Sequence, residues 1–375
     1  MTIKHQRKGY IIVMTMLIIA LAVAIVTYIY KRGTVYNPLA QLIAHKEKAR
    51  MLTMSGLQIA LAKLGAPLEK KKDEKNKQES PPQDATKDTP GQKKGAAGEQ
   101  DISLLYQTLL PRLNRWQRFV LKEEIDGVDA EIRIAISCEE GKINLNQIYD
   151  FDKKQFRKTA DKKVDWEAIF KELCTVLEKQ MNGKELFDAF KKFLNGRTQP
   201  FNDVTELLLI KEFEFFKDTI FYDPPAVGTK TDKSVVRPLY LTDLFTLYTN
   251  QHEIDPWLFS DSVCCLFGLP RAQSSDFEDR VKIMEPVLKN IKSTYTWKSD
   301  WKPSLEPIYQ KELQSLPKGI ESVLQATTKP TIFSVTISAT YGRVTQRLYV
   351  IVERTKKKDA QVAGYDVEVR KVYRV

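Results

Sequence analysis

The sequence predicts an α+β fold that begins with a membrane-spanning helix, and three patterns indicate it. No charged residue occurs from Tyr10 to Tyr30, and a helix needs about 20 apolar residues to cross the hydrocarbon core of a bilayer. Residues 128–136 alternate apolar with charged or small side chains, which is the period of a half-buried strand. Residues 166–194 carry a Lys-rich helical pattern.

The first predicted element is this apolar helix, and basic residues between positions 4 and 8 precede it. Positive charge ahead of the first span keeps that end in the cytoplasm, although Lys31 and Arg32 after the run weaken the asymmetry. The tyrosines at both ends of the run are placed like interfacial aromatic residues. The rest of the chain is therefore expected outside the cytoplasm.

Three interpretations of the apolar run stay open. A cleavable secretory signal has an apolar region of about 7–15 residues followed by a small-residue site; Ala20–Ala24 offers such a site, but the run continues to Tyr30. An uncleaved signal anchor fits as well. In the third interpretation, the basic leader ending at Gly9 resembles a type IV pilin prepeptide, which prepilin peptidase cuts after the Gly, so that Tyr10 becomes the first residue.

Composition limits the remaining possibilities. With 375 residues and 42% hydrophobic content, the chain can bury a sizeable core. Its net charge of +11 could favour binding to nucleic acid or anionic lipid. Much of the excess positive charge, however, is spread along the predicted helices and a linker. The four cysteines could form disulfides, and the neighbours Cys264 and Cys265 are expected to be small core residues because their surroundings are apolar.

After the span, the helical pattern is expected to resume behind Pro38, with a kink between residues 33 and 38, because Pro lacks an amide donor and crowds the preceding turn. Residues 69–100 contain almost nothing to bury. The conformational entropy that these residues would lose on ordering is therefore not offset by the burial of apolar surface. They are predicted to form a disordered linker.

An unusual segment follows the strand predicted at 128–136. After the acidic turn at residues 139–142 comes Ile143-Asn144-Leu145-Asn146, in which two Asn flank one Leu. Asn side chains readily bond nearby backbone to cap a helix or turn. The order of strand, acidic-Gly turn and Asn-flanked Leu resembles the K class of minor pseudopilins of type II secretion systems (GspK-like), in which a comparable segment leaves the pilin sheet and enters a large helical insertion.

Further segments follow in the order that this resemblance requires. In residues 199–207, Phe201 precedes a helix start at Glu206 and Leu207. Residues 241–248 match the approach to the family's second helical repeat, and residues 332–340 and 347–354 match the returning strands. Residues 253–257, Glu-Ile-Asp-Pro-Trp, depart from the Asn-x-Asn-Thr-Ala-like segment that is common there. The chain therefore resembles a divergent member.

The resemblance implies a division of the chain. It comprises a prepilin-type leader at 1–9, a transmembrane helix at 10–30 with its continuation at 31–68, the linker at 69–100, an α/β core at 101–146 and 330–375, and a helical insertion at 147–329. The implied fold is a pilin-like N-terminal helix packed on an antiparallel sheet, with an all-helical insertion between strands.

The implied function depends partly on Met14, which would be the fifth residue after cleavage, where most pilins have Glu. That carboxylate is costly in lipid and is thought to pair with the amino terminus of a neighbouring subunit. A subunit without it suits the tip of the filament. The resemblance thus implies a minor pseudopilin in the inner membrane with its bulk in the periplasm. Its expected partners are other minor pseudopilins, prepilin peptidase and membrane lipid, without nucleic acid.

An enzyme is not expected. The histidines are His5, His45 and His252, and the common nucleophile, zinc and phosphate-binding motifs do not occur. No catalytic residue and no cofactor are therefore predicted. Calcium is known in the resembled family, and acids at positions 139, 140, 150 and 152 could bind a hard cation. Their spacing does not match an EF-hand, so exposed turn acids are favoured.

Two rival functions stay open. A membrane-tethered nucleic-acid-binding module could use turn-rich helical repeats and basic charge, but the neighbourhoods of Asn144 and Phe201 lack the glycine pairs that would supply amide donors. A type IV pilus minor pilin is the second rival, and it differs in its partners.

Overall fold

The computed structural model describes residues 6–66, 106, 108–159, 164–181, 183–223, 238–270, 277–288, 291–292, 294–327, 330–356 and 364–375. Most of the leader and the linker predicted at 69–100 lie outside these ranges. Side chains before Ile12 are likewise not described.

The described residues form helices and strands whose bounds follow here. The helices are α1 Gln6–Gly65, α2 Glu123–Asp126, α3 Leu145–Ile148, α4 Trp166–Met181, α5 Leu186–Asn195, α6 Leu241–Leu244, α7 Asp261–Leu266, α8 Phe277–Leu288, α9 Trp297–Ser304 and α10 Glu306–Tyr309. The strands are β1 Gln117–Leu121, β2 Ala130–Cys138, β3 Ile143–Asn144, β4 Tyr149–Asp150, β5 Gln155–Phe156, β6 Lys158–Thr159, β7 Val164–Asp165, β8 Phe245–Thr246, β9 Ile332–Tyr341, β10 Val344–Lys356 and β11 Tyr365–Arg374.

Helix α1 is continuous through Pro38 and ends at Gly65. The expectation that the helical pattern resumes only after Pro38 is therefore wrong. A Pro inside a helix removes one backbone hydrogen bond, and in a helix of 60 residues the turns on both sides remain intact.

A five-stranded antiparallel sheet in the order β1-β2-β9-β10-β11 packs against the second half of α1. On α1 the buried side includes Ala49, Leu57 and Ala60. The helix approaches the sheet closely at Gly56, where a Cβ atom would lie 2.7 Å from Ile337 Cγ2. The predicted α+β architecture, with a long apolar helix packed on an antiparallel sheet, is confirmed.

The chain between β2 and β9 forms an insertion of helices and turns, and its buried side chains join those of the sheet and α1 in one hydrophobic core. Within it, buried aromatic rings pack against one another, among them Phe156, Phe170, Phe190 and Phe213. The prediction of an all-helical insertion is wrong in detail, because β3 pairs with β8 in parallel and β4–β7 form two small antiparallel pairs. The insertion leaves and rejoins the sheet at adjacent points, since Cys138 of β2 pairs with Phe333 of β9.

Candidate functional site: the apolar helix and the neck of the insertion

The first half of α1 is an apolar surface that nothing in the described chain covers. A window within Ile12–Gly65 has a mean hydropathy of 2.7 and is 0% buried, so this helix is long and apolar enough to cross a membrane. Met14 is 45% exposed on it, and Tyr28 and Tyr30 are 57% and 74% exposed. Gly9, the predicted cleavage position, and Tyr10 lie inside α1, and the structure does not test their role.

The second half of α1 is fixed to the sheet at both ends. Near the N-terminal end of this half, Lys48 Nζ donates to Tyr341 Oη at 3.0 Å, next to the β9–β10 turn. At its C-terminal end, Arg354 Nε donates to the carbonyl of Leu64 at 2.8 Å. A cation at a helix C-terminus satisfies carbonyls that have no partner within the helix and interacts favourably with the helix dipole. The helix and the sheet therefore form one unit.

The neck, defined here as residues 138–142 with the residues that bond to them, joins this unit to the insertion. Its centre is Lys142, which is 2% exposed. The Lys142 ammonium pairs with Glu139 and donates to the Thr242 carbonyl at 2.8 Å and to Ser334 Oγ at 3.0 Å. Ser334 lies on β9 and Thr242 on α6. A single buried cation therefore links the sheet and the insertion.

The electrostatics of Lys142 favour its charged form. Burial by itself lowers the pKa of the amine, but Glu139, Tyr349 and Asp243 more than offset this effect, so its pKa lies above the usual value. The Glu139 carboxylate also accepts a hydrogen bond from the Thr246 hydroxyl on β8. The pair is thus satisfied on both sides, as a buried ion pair must be to persist.

Glu140 connects the segment that leaves β2 with the segment that enters β9. Its Oε1 accepts hydrogen bonds from the amides of Thr331 and Ile332 at 2.8 and 3.0 Å, and its Oε2 lies 2.9 Å from the thiol of Cys138. Burial raises the pKa of Glu140. It also raises the pKa of the Cys138 thiol, and the nearby carboxylate adds to that effect.

The turn that carries these groups needs a glycine. Residues Glu139–Gly141 form a 3-10 helix, and a Cβ atom on Gly141 would lie 1.7 Å from the carbonyl oxygen of Leu258. Only a residue without a side chain allows the backbone of the insertion to come this close. In addition, the amide of Asp255 donates to the Glu140 carbonyl at 2.8 Å. The segment 253–257, which departs from the family pattern, therefore packs against the neck.

Residues of the family-like segments meet just beyond the neck. Asn144 caps α3 by accepting a hydrogen bond from the amide of Asn146 at 3.0 Å, and its amide group donates to Thr249 Oγ1 at 2.7 Å. Asn146 forms a reciprocal pair with the backbone of Phe201: its Nδ2 donates to the carbonyl at 2.9 Å and its Oδ1 accepts from the amide at 2.8 Å. The two Asn predicted to cap a turn thus connect segments that are distant in the sequence.

The 199–207 segment is closed by a capping box between Asp203 and Glu206, in which each side chain bonds to the backbone of the other residue. Glu206 also pairs with Arg197 at 2.7 Å, and Leu207 is fully buried. All five predicted residues, Asn144, Asn146, Phe201, Glu206 and Leu207, therefore lie in the framework of the insertion. Lys142, Asp243 and Asp255 were not among the predicted site residues, although they lie in segments that were compared with the family.

The acids considered for a cation are placed differently from the expectation. Glu139 and Glu140 are 1% and 5% exposed, so the expectation of exposed turn acids is wrong for this pair. Lys142, Thr246 and the amides around Thr331 supply the partners that make burial possible. Asp150 accepts hydrogen bonds from backbone amides of its own turn, and Asp152 is exposed. Across the described ranges, no group of three His, Cys, Asp or Glu is arranged to hold a metal ion.

Cys264 is a buried core residue, as the sequence indicated, and Cys265 is half-buried. Cys138 and Cys174 are buried thiols. Burial raises the pKa of Cys174, which keeps that thiol protonated and unreactive.

Asp243 gives the neck a pH dependence. Its side chain is fully buried beside Ser262, whose amide donates to Oδ2 at 2.8 Å, and within the described residues Oδ1 has no hydrogen-bond partner. Burial, with a contribution from Asp261, raises the pKa of Asp243 to about 6 against the opposing effect of Lys142. A raised acid pKa stabilises the fold below the unfolded value of 3.8, and this contribution is lost as the pH rises through about 6.

Asp243→Asn is therefore expected to be more stable than the wild type at pH 7.5, by an amount on the order of 3 kcal/mol, because the amide imitates the protonated acid. The difference should shrink towards zero near pH 4. Denaturant unfolding of the detergent-solubilised protein across this range measures it, with Asp152→Asn in an exposed turn as the control. A difference that does not change with pH would contradict the role given to Asp243.

Similarity to known proteins is found at the level of structure. No family model matches the sequence, and no curated protein matches it significantly. Among solved structures, the chain is similar to the GspK-GspI-GspJ complex from the enterotoxigenic Escherichia coli type 2 secretion system. The TM-score is 0.37 with 10% sequence identity, over 75% of this chain and 94% of the matched chain.

Proposed function

We propose that the protein is a non-enzymatic minor pseudopilin that initiates and caps the periplasmic pseudopilus of a type II secretion pathway, and so supports export of folded proteins through the outer membrane. The observation that carries the proposal is the arrangement of three parts: an apolar helix, a sheet packed on its second half, and a bulky insertion fixed to the sheet by a buried neck. A protein built from these three parts is suited to the role of a structural scaffold. The sequence resemblance to the K class supports the same role.

The tip position follows from two features of this chain. Met14 offers no carboxylate to pair with the amino terminus of a neighbouring subunit within the membrane. The insertion, nearly 200 residues between β2 and β9, would occupy the space of a subunit stacked beyond it. A subunit with neither pairing group nor room above it terminates a filament. In this proposal the protein is anchored once in the inner membrane, and the sheet and insertion lie in the periplasm.

The same proposal predicts processing by prepilin peptidase. N-terminal sequencing of the membrane-extracted protein is expected to begin at Tyr10. Gly9→Leu should block cleavage, since a large side chain obstructs a site that accepts glycine, and should leave the mature amino terminus undetectable. Gly33→Leu is the matched control, because a Cβ atom at this helix position would meet no other atom within 4 Å. A start at Met1 or near Ile25 in the wild type would contradict this processing.

The functional test uses the tagged full-length protein, extracted from membranes in mild detergent. Copurification of other minor pseudopilins in one-to-one-to-one stoichiometry is expected, and labels on the insertion should appear only at the ends of assembled pseudopili. Regular label along the shaft would reject the tip position. Copurification of type IV pilus components instead of secretion pseudopilins would favour the rival pilin, and salt-sensitive DNA binding would favour the nucleic-acid module.

A further inference from the structure

Two basic residues lie directly after the apolar run of α1, where the orientation of the helix does not call for them. Lys31 and Arg32 follow Tyr30, and in the proposed orientation they are on the periplasmic side of the membrane. Segments on that side are normally poor in Lys and Arg. Both side chains are exposed. Their place at the end of the span therefore needs a physical reason of its own.

The helix itself offers these two cations no carboxylate. The first 46 residues contain neither Asp nor Glu, and Glu47 is the first acidic residue. Glu47 lies about 22 Å along the helix from Arg32, and it pairs with Arg50 at 3.4 Å. Within the ranges that the structure describes, Lys31 and Arg32 form no ion pair. A counterion close to them is thus expected from the surroundings of the helix.

Two tyrosine rings hold the Arg32 guanidinium on one face of α1. Tyr28, Arg32 and Tyr36 are spaced four residues apart, and side chains at this spacing are neighbours on a helix. The guanidinium carbon lies 5.0 Å from the ring centre of Tyr28 and 6.0 Å from that of Tyr36, which are cation–π distances. Because stacking uses the flat face of the guanidinium, the N–H donors at its edge stay available for a ligand.

The length of the apolar run fixes the depth of these side chains in a bilayer. From Tyr10 to Tyr30 the helix is about 32 Å long, which matches the hydrocarbon core of roughly 30 Å. Arg32 then lies about 3 Å outside the core, and Tyr28 lies about 3 Å inside it. Tyr36 lies about 9 Å outside, at the outer limit of a headgroup layer of about 5–8 Å. The guanidinium is therefore at the level of the lipid phosphates.

The chemistry of the two cations favours one class of lipid. The planar guanidinium of Arg32 can donate two parallel hydrogen bonds to a phosphate group, and the Lys31 ammonium adds a second positive charge next to it. Headgroups of phosphatidylcholine and phosphatidylethanolamine carry a cation of their own, which these charges repel. The headgroup of phosphatidylglycerol carries only the phosphate charge. Charge complementarity therefore selects an anionic phospholipid.

We propose that Tyr28, Arg32 and Tyr36, with Lys31 beside them, form a binding site for the headgroup of an anionic phospholipid in the periplasmic leaflet. The assignment to this leaflet rests on the proposed function, because the orientation of the helix follows from it. The phosphate accepts hydrogen bonds from the Arg32 guanidinium, and the two rings keep the guanidinium at headgroup level. The acyl chains lie along the apolar surface of α1. This contact fixes the depth of the membrane anchor.

Lipid binding by the detergent-solubilised full-length protein tests the site, with a fluorescent phosphatidylglycerol as the probe. Arg32→Gln is expected to weaken binding about fivefold, which is the contribution of one basic residue at an anionic membrane surface. Lys46→Gln is the matched control. It removes the same charge from the same helix, but Lys46 lies about 24 Å beyond Tyr30, so binding should not change. Equal binding by the wild type and Arg32→Gln, or an equal loss for Lys46→Gln, would overturn the site.

Arg32→Lys tests the contribution of the two rings. The variant keeps the charge but replaces the stacked planar fork by a point charge, so binding should weaken at least about twofold. Binding equal to that of the wild type would show that the rings and the fork form no site. Arg32 is exposed, and thermal unfolding of all three variants is expected to match that of the wild type.

Competition identifies the ligand. Unlabelled phosphatidylglycerol is expected to displace the probe, whereas phosphatidylcholine at the same concentration is expected not to displace it. Inorganic phosphate should also fail to compete, since the lipid is held through its acyl chains as well as its headgroup. Displacement by phosphatidylcholine would mean that the site does not select anionic lipid, and displacement by inorganic phosphate would assign it to the free ion. Either result would overturn the proposal.

Copurification keeps this inference separate from the proposed function. A wild-type protein that binds phosphatidylglycerol selectively but copurifies no pseudopilin would reject the proposed function, and with it the assignment to the periplasmic leaflet. A protein that copurifies pseudopilins but shows no preference for phosphatidylglycerol would reject the lipid site alone.

Discussion

Replacing Lys142 by Ala is expected to lower the free energy of unfolding by about 3–5 kcal/mol, because it leaves a buried carboxylate without its counterion. Glu139 is 1% exposed, and its remaining hydrogen bond comes from the Thr246 hydroxyl. The substitution also removes the donor to the Thr242 carbonyl and Ser334. The sheet and the insertion would thereby lose one of the buried polar contacts that they share.

Equilibrium denaturation of the detergent-solubilised protein measures this change. Lys298→Ala is the matched control: Lys298 pairs with Glu321 at 3.7 Å, but its side chain is 79% exposed, and exposed pairs contribute at most about 1 kcal/mol. The double variant Glu139→Gln with Lys142→Met should regain part of the loss, because neither charge is left alone. A loss below about 1 kcal/mol for Lys142→Ala would show that the neck does not depend on this ion pair.

Glu140→Ala is expected to have the second largest effect, also about 3–5 kcal/mol. The amides of Thr331 and Ile332 would lose their acceptor where the chain re-enters the sheet, and a buried unsatisfied donor costs about 1–3 kcal/mol. A space would open beside the thiol of Cys138 as well. Calorimetric or denaturant unfolding of the full-length protein measures the loss.

Glu140→Gln separates hydrogen bonding from charge. The amide oxygen can still accept from the two backbone donors, and the raised pKa of Glu140 means that burial already opposes its charged form. Most of the stability should therefore return. Equal losses for Gln and Ala would mean that the negative charge, and not the acceptor geometry, holds the neck together.

The sequence was sufficient for elements whose pattern is local. The apolar run predicted the first half of α1 and alternating residues predicted β2, whereas the family resemblance predicted β9 and β10, all to within a few residues. β11 was missed, although Val367 and Val369 are spaced like two residues on one face of a strand. The bulge beside Ile351 and Val352 places two residues, 369 and 371, on either side of an unpaired Arg370. This extra residue shifts the alternation by one position and breaks the period.

The neck could not be predicted because its partners are distant in the sequence. Charged residues 139, 140 and 142 are typical of an exposed turn, and their burial depends on Thr242, Ser334 and Thr331, about 100–190 residues away. The cap at Asn144 was accessible because capping is local. The signal for the neck was the single Lys between Gly141 and the buried Ile143, a charge at the edge of an apolar segment.

The pairing of Cys138 with Phe333 has a consequence for the order of folding. The central strands β2 and β9 close a loop that contains the entire insertion, and the entropic cost of closing a flexible loop grows with the logarithm of its length. Once the insertion has folded, its two ends lie close together at the neck, so the entropic cost of pairing β2 with β9 is small. The two strands are therefore expected to pair after the insertion has folded. A chain synthesised from its amino terminus therefore exposes the sheet-facing side of α1 until its last 45 or so residues, which contain β9, β10 and β11, have emerged.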